Sequence, residues 1–160
     1  MYGIVTIMSR PSTGPWVGAL LRAAWKGVRD HIDEAVKAAG YVDLNRAHVS
    51  LFRHPTLDGM RPTDLADEVQ LSKQAVNDLL GDLEHQGYIR REVDPADRRS
   101  RLIRLTPRGM KLEDTVRLAA RDAERQLERE LGRERFRSFR EALVEAARIF
   151  NDRARGGREP

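Results

Sequence analysis

The 160 residues are enough for one domain, or for one compact domain carrying helical extensions. Apolar residues at 40% can fill a core, charged residues at 34% describe a heavily solvated surface, and the net charge of +4 favours an acidic partner such as nucleic acid. With no cysteine, disulfides, thiolate metal sites, thiol nucleophiles and cysteine-based redox sensing are excluded together.

Gly3 to Met8 is apolar but short, lacks a basic run before it and meets Arg10 and Pro11, so it does not read as a signal peptide. Met8 is a second candidate start, Ser9 to Gly14 an ordinary lead-in, and residues 1–14 a flexible N-terminus. No apolar run approaches membrane-spanning length, so no membrane partner is expected and the cytoplasm is the default location.

After Pro15, apolar residues fall at Val17, Leu20, Leu21, Ala24, Trp25, Val28, Ile32, Ala35, Val36 and Ala39. Steps of three and four trace one stripe of a long helix, ended by Gly40. A second helix is predicted with Asp43 as N-cap, burying Leu44, Ala47, Leu51 and Phe52 and stopping before Pro55. Thr56 to Arg61 holds the turn signal Asp58-Gly59. Pro62 then suits the first turn of a third helix, which buries Leu65, Ala66 and Val69. Ser72 caps a fourth helix with Val76, Leu79, Leu80 and Leu83 inward, and Gly87 sits where a helix-terminating glycine belongs.

The period then changes. Tyr88 to Val93 and Arg101 to Leu105 read as strands around the charged turn Asp94 to Ser100, making a hairpin. Thr106-Pro107 restarts a helix with the stripe Leu112, Val116, Ala119, Ala120, Ala123, Leu127 and Leu131. Gly132 breaks it, and Phe136, Phe139, Leu143, Ala147 and Phe150 supply the last helix. The tail 153–160 has nothing to bury and is expected to be flexible. The fold class is therefore mainly α with a small β-hairpin wing (α+β). A winged helix-turn-helix over 41–106 is flanked by long N- and C-terminal helices over 15–40 and 107–152. Those helices carry more apolar stripe than the middle unit can cover, so part of it is expected to face a second chain.

Between Pro62 and Gly87 a short helix with the small Ala66 is followed by a tight turn at Gln70-Leu71, with Leu71 expected to plug it, and then by a capped helix. This is the helix-turn-helix pattern, whose second helix enters the major groove. The runs Leu65-Ala66-Asp67-Glu68-Val69, Leu71-Ser72-Lys73-Gln74-Ala75-Val76 and Leu83-Glu84-His85-Gln86-Gly87-Tyr88-Ile89 resemble the MarR family (multiple antibiotic resistance regulators). So do Asp94-Pro95-Ala96-Asp97-Arg98-Arg99 and Leu105-Thr106-Pro107-Arg108-Gly109, the most specific parts of a likeness running from about Pro15 to Asp152. The resemblance implies a homodimer that binds a palindromic operator in double-stranded DNA near a regulated promoter, with the terminal helices used for dimerisation. It also implies a small phenolic or anionic effector held between the dimer helices and the winged domain. Repression, with release by the effector and nucleoid association on DNA, is the expectation.

Helical geometry turns Gln74 and Asp78 outward with Asn77 and Gly81 beside them. Gln74 and Asn77 can each pair with an adenine edge, while Ser72 and Lys73 at the helix start can bind phosphate. From Arg90 to Arg108 there are seven arginines against Glu92, Asp94 and Asp97. Arg98 and Arg99, with Arg101, are the first choices for entering the minor groove. The plainer reading of the turn is that Asp97 pairs with an arginine to stiffen it. Relatives commonly carry arginine where this chain has Asp78, Asp82 lies one turn on, and the sequence gives no reason for Gly81.

Trp16, Trp25, His48 and Phe52 are candidates to line an effector cleft, although aromatics at helical spacing more often belong to a core. His31, His48, His54 and His85 are scattered, and no nucleophile elbow, phosphate-binding glycine loop or paired-histidine motif appears. His31 and Glu34 share a helix face, but two exposed ligands make no metal site. Neither catalysis, metal nor cofactor is expected. Two alternatives stay open: a winged-helix protein whose acidic fourth helix binds another protein, and a structural DNA binder with little sequence preference.

Overall fold

The computed structural model describes residues 14–53 and 57–156, with side chains as far as Phe150. His54, Pro55 and Thr56, most of the N-terminal lead-in and residues 157–160 lie outside the described residues. The elements are α1 (Val17–Ala38), α2 (Arg46–Leu51), α3 (Pro62–Val69), α4 (Lys73–His85), β1 (Ile89–Asp94), β2 (Asp97–Leu105), α5 (Pro107–Leu131) and α6 (Arg133–Gly156). The fold is mostly helical with one two-stranded antiparallel hairpin, the class expected. The chain divides into two compact units, one ending at Ala120 and the other beginning at Arg121, so α5 contributes to both.

In the first unit only the C-terminal end of the α1 stripe is covered. Ile32 and Val36 are buried, whereas Trp16, Val17, Leu20, Leu21 and Trp25 are exposed. Gly40 closes the helix at φ +93°, a left-handed conformation that glycine adopts without penalty. The start of α2 differs from expectation. Asn45, not Asp43, is the N-cap: its side chain accepts the His48 N–H at 3.0 Å, and the His48 ring faces the Asn45 N–H in return. Asp and Asn cap equally well, and Asp43 is drawn away by Tyr88, just before β1, and by Arg108 on α5. The shifted frame leaves Ala47 exposed and buries His48, Val49 and Leu51.

Arg61 precedes α3, Pro62 occupies its first turn, and Gln70 ends it at φ 56°. Leu71 does not plug the turn: its N–H reaches Ala66 carbonyl at 3.1 Å, but its side chain stays exposed. The left-handed Gln70 turns the chain so that Leu65 and Ala66 carry the contact to α4 instead. Ser72 caps α4 as expected, accepting the Ala75 N–H at 3.1 Å, and Val76, Leu80 and Leu83 enter the core with Leu51, Phe52, Leu57, Tyr88, Ile89, Ile103, Leu105, Leu112 and Val116.

The hairpin is longer and its turn tighter than the sequence suggests. β2 begins at Asp97, so the turn is Pro95-Ala96, and Arg98, Arg99 and Ser100 lie on the strand. Two aspartates cause this. Asp94 Oδ1 accepts the Ala96 N–H at 2.9 Å, and Asp97 accepts the Arg99 N–H at 3.0 Å and the Ser100 hydroxyl at 2.7 Å. Pairing runs from Ile89↔Leu105 to Val93↔Arg101 and then slips to Asp94↔Asp97, so a bulge falls at Arg98–Ser100. The outer edge of β2 is covered rather than open. Gly59 N–H donates to Ile103 carbonyl at 2.7 Å, Ile103 N–H to Met60 carbonyl at 2.9 Å, and Leu105 N–H to Asp58 Oδ1 at 2.8 Å.

In the second unit Gly132, at φ +79°, separates the end of α5 from α6. Phe136 and Leu143 are half-buried, while Phe139, Val144, Ile149 and Phe150 are exposed. Helix α6 continues to Gly156, past the Asp152 boundary read from the sequence.

Candidate nucleic-acid interface

Helix α4 presents Lys73, Gln74, Asn77 and Asp78 to solvent, as its periodicity requires once Val76, Leu80 and Leu83 are inward. Ser72 is exposed at the helix start with its oxygen engaged in the cap. The helix is tied to the wing by Glu84, which accepts the Arg91 N–H at 2.9 Å and the Arg91 guanidinium at 2.9 and 2.7 Å. Hydrogen bonding from Arg91 holds the Glu84 carboxyl below the usual carboxylate range, against the opposing effect of burial.

The seven arginines between Arg90 and Arg108 fall into two groups. Arg90 pairs with Glu92 at 2.7 Å, Arg91 with Glu84, Arg104 with Glu92 at 3.4 Å and Asp58 at 3.5 Å, and Arg108 with Asp43 at 2.8 Å. Arg98, Arg99 and Arg101 are exposed and have no carboxylate partner among the described residues. The stiffening pair imagined for Asp97 is not an ion pair, because that carboxylate is occupied by Ser100 and the Arg99 N–H. The three cations read as candidates therefore stand on the bulged strand with their charge uncompensated, the condition for attracting phosphate.

The residue that braces the wing is Arg61, which sequence reasoning missed. Its guanidinium reaches Asp94 Oδ2 through Nε at 3.0 Å and Nη2 at 2.5 Å, while Asp94 Oδ1 pins the turn. Asp94 is buried, and the Ala96 N–H and then Arg61 hold its carboxyl below the usual range. The partners are 33 residues apart, so no local pattern announces them.

A second junction fixes the base of the wing. Tyr88 hydroxyl donates to Asp43 Oδ1 at 2.9 Å. Arg108 donates to Asp43 Oδ2 at 2.8 Å and to Gln86 carbonyl at 2.7 Å, and lies 4.2 Å over the Tyr88 ring. Burial, and then the Asp43 carboxylate, push the Tyr88 phenol up to about 12. Thr106 hydroxyl donates to Gly87 carbonyl at 2.7 Å and accepts the Gly109 N–H at 3.1 Å, so α5 starts against the end of α4.

The four effector candidates differ in their settings. Trp16 is 86% exposed and Trp25 50% exposed, with the Arg53 guanidinium 5.5 Å over the Trp25 ring. His48 is buried with Nε2 3.4 Å from Asp82, and Phe52 is buried in a T-shaped ring contact with Tyr88, the centroids 6.3 Å apart. A cleft of about 510 Å³ between α1 and α2 is lined by Asp30, Asp33, Tyr41, Leu44, Arg46 and Val49 among others, and by none of those four. Among the described residues no group of three or more His, Asp or Glu could hold a metal ion. No described helix is long and apolar enough to cross a membrane.

A model of the MarR family matches residues 42–100, from the loop before α2 into the bulged strand of the wing. Over that segment the chain is similar to the MarR family. The chain is 36% identical over 76 residues to the transcriptional activatory protein BadR of Rhodopseudomonas palustris (strain ATCC BAA-98 / CGA009). That match takes in 47% of this chain and less than half, 43%, of the relative's length. Among solved structures it is similar to a crystal structure of MarR, at 24% identity and a TM-score of 0.74, over 93% of this chain and 99% of the other. It is likewise similar to the apo form of wild-type MarR from E. coli, at 18% identity and a TM-score of 0.68, over 84% and 98% of the two chains. At such identities the structural likenesses establish the winged-helix fold.

Proposed function

We propose that this chain is a transcription regulator of the MarR family that binds a palindromic operator in double-stranded DNA as a homodimer. One observation carries the reading. Of the seven arginines from Arg90 to Arg108, the three without a carboxylate partner among the described residues stand together on β2, in the winged unit whose α4 exposes Gln74, Asn77 and Asp78. In that arrangement α4 enters the major groove and Arg98, Arg99 and Arg101 meet the backbone or the adjacent minor groove. Ser72 and Lys73 at the start of α4 contact phosphate.

Dimerisation is supported by apolar surface that neither unit covers internally: Trp16, Leu20 and Trp25 in one, Phe139, Ile149 and Phe150 in the other. A second copy is the occupant that closes such faces by symmetry, and it places two recognition helices on successive turns of the duplex. A small aromatic or anionic effector that releases the operator completes the proposal, with repression as the result of promoter occupancy in the cytoplasm. A second reading concerns only the sign of regulation, since the Rhodopseudomonas relative is named as an activatory protein.

A gel shift tests the reading. At low salt the purified protein should retard random duplex weakly, and its own upstream region should compete far better. No shift with either would favour a protein-binding role for α4, and a shift without selective competition would favour a structural DNA binder. A transcription assay on the same promoter gives the sign, and a panel of aromatic acids added to the gel shift tests release.

A further inference from the structure

Helix α4 carries three carboxylates, and the structure gives two of them intramolecular work. Glu84 binds Arg91 on the wing, and Asp82 faces the buried His48 Nε2 at 3.4 Å. Asp78 is exposed and has no partner among the described residues. It shares its face with Gln74, one turn earlier, and Asn77, while Gly81 one turn later adds no side chain beside it. That face holds a single cation, Lys73 in its first turn, and no guanidinium to take the paired acceptors of guanine.

A carboxylate in the major groove can only accept hydrogen bonds. Among the base edges it meets donors at adenine N6 and cytosine N4. Adenine sets the N7 acceptor next to N6, where it repels the second carboxylate oxygen. Cytosine's amino group has an acceptor on one side only, the paired guanine O6, and C5–H on the other, whereas adenine N6 is flanked by acceptors on both sides. Amides suit the opposite case, because Gln74 and Asn77 each present a donor and an acceptor to adenine.

We propose that Asp78 is the residue by which this regulator selects a cytosine in each operator half-site, next to adenines read by Gln74 and Asn77. The inference rests on the DNA-binding reading above. Its cost, a negative charge brought toward phosphates, is offset by the uncompensated arginines of the wing.

Selection from a randomised duplex library, with full-length wild-type protein and its Asp78→Ala and Asp78→Asn variants, tests it. The wild type should enrich a palindrome with one invariant C·G pair beside A·T pairs. In Asp78→Ala that one column should lose its preference while the rest of the motif remains, and in Asp78→Asn it should move toward adenine. Replacing the C·G pair by T·A should weaken wild-type binding roughly tenfold and leave Asp78→Ala almost unaffected. Identical motifs from wild type and Asp78→Ala, or an A·T pair in the Asp78-dependent column, overturn the assignment while leaving DNA binding standing. If the wild type enriches nothing, the DNA-binding reading fails with it. Asp78 is exposed and unpaired among the described residues, so unchanged thermal unfolding of the variants is expected and confirms that only recognition has been altered.

Discussion

Gly109 and Gly81 both lie inside helices, and a methyl group added to each meets opposite surroundings. At Gly109 it would fall 2.0 Å from the Tyr88 carbonyl oxygen, a backbone atom that cannot rotate aside, so Gly109→Ala should destabilise the protein by at least about 1–3 kcal/mol. At Gly81 it would meet nothing within 4 Å, so Gly81→Ala should stabilise by about 1 kcal/mol through helix propensity alone. Thermal unfolding reads both, as a fall for the first and a rise for the second. Tyr88 sets the alkaline limit. Its pKa in the folded protein is about 12 against 10.0 for the ordinary group, so its stabilisation is complete below pH 10 and is lost as pH climbs through 12. Asp43, Glu84, Asp94 and Asp97 are all shifted downward, so what they contribute is present above the ordinary carboxylate range and is lost only as pH falls beneath about 4. Denaturant unfolding across pH should give a stability curve falling at both limits, and Tyr88→Phe should flatten the alkaline limb alone. At this scale the outward face of α4 was legible, because periodicity fixes which side chains leave the core. The division of the arginines was not, because Glu84, Asp58 and Asp43 reach them from other elements.

The wing behaves as a braced lever. Residues 58–60 hold its outer edge, Glu84 ties it to α4, and Arg61 grips Asp94 beside the turn. Arg61→Ala should leave helix content and the core intact while freeing the tip. Hydrogen exchange at Ala96 to Ser100 should quicken and DNA affinity should fall, even though Arg98 and Arg99 are untouched. Unaltered exchange at those amides would show that Arg61 does not brace the tip. Both strands were visible in the sequence from their alternation, yet the turn read as Asp94 to Ser100 contracts to Pro95-Ala96. Side-chain bonds from Asp94 and Asp97 to nearby backbone extend the strand, which alternation of apolar and charged residues does not encode. The cap of α2 was misassigned for a related reason: Asp43 and Asn45 suit the role equally, and only the distant Tyr88 and Arg108 decide between them.

For the whole molecule, the exposed apolar stripes of α1 and α6 are the feature the sequence announced most directly, as more hydrophobic face than the middle unit can cover. If a second copy covers them, Leu20→Asp together with Trp25→Glu should sediment as monomer and lose most operator affinity, since two half-sites can no longer be held at once. The central claim is that Arg98, Arg99 and Arg101 are the wing's DNA-facing charges. The salt dependence of binding to a fixed duplex tests it most directly. Combined replacement of those three by alanine should flatten the slope of log K against log salt by about one unit for each arginine that meets a phosphate, whereas replacing the paired Arg90 should leave it nearly unchanged. A triple variant with the wild-type slope would contradict the account.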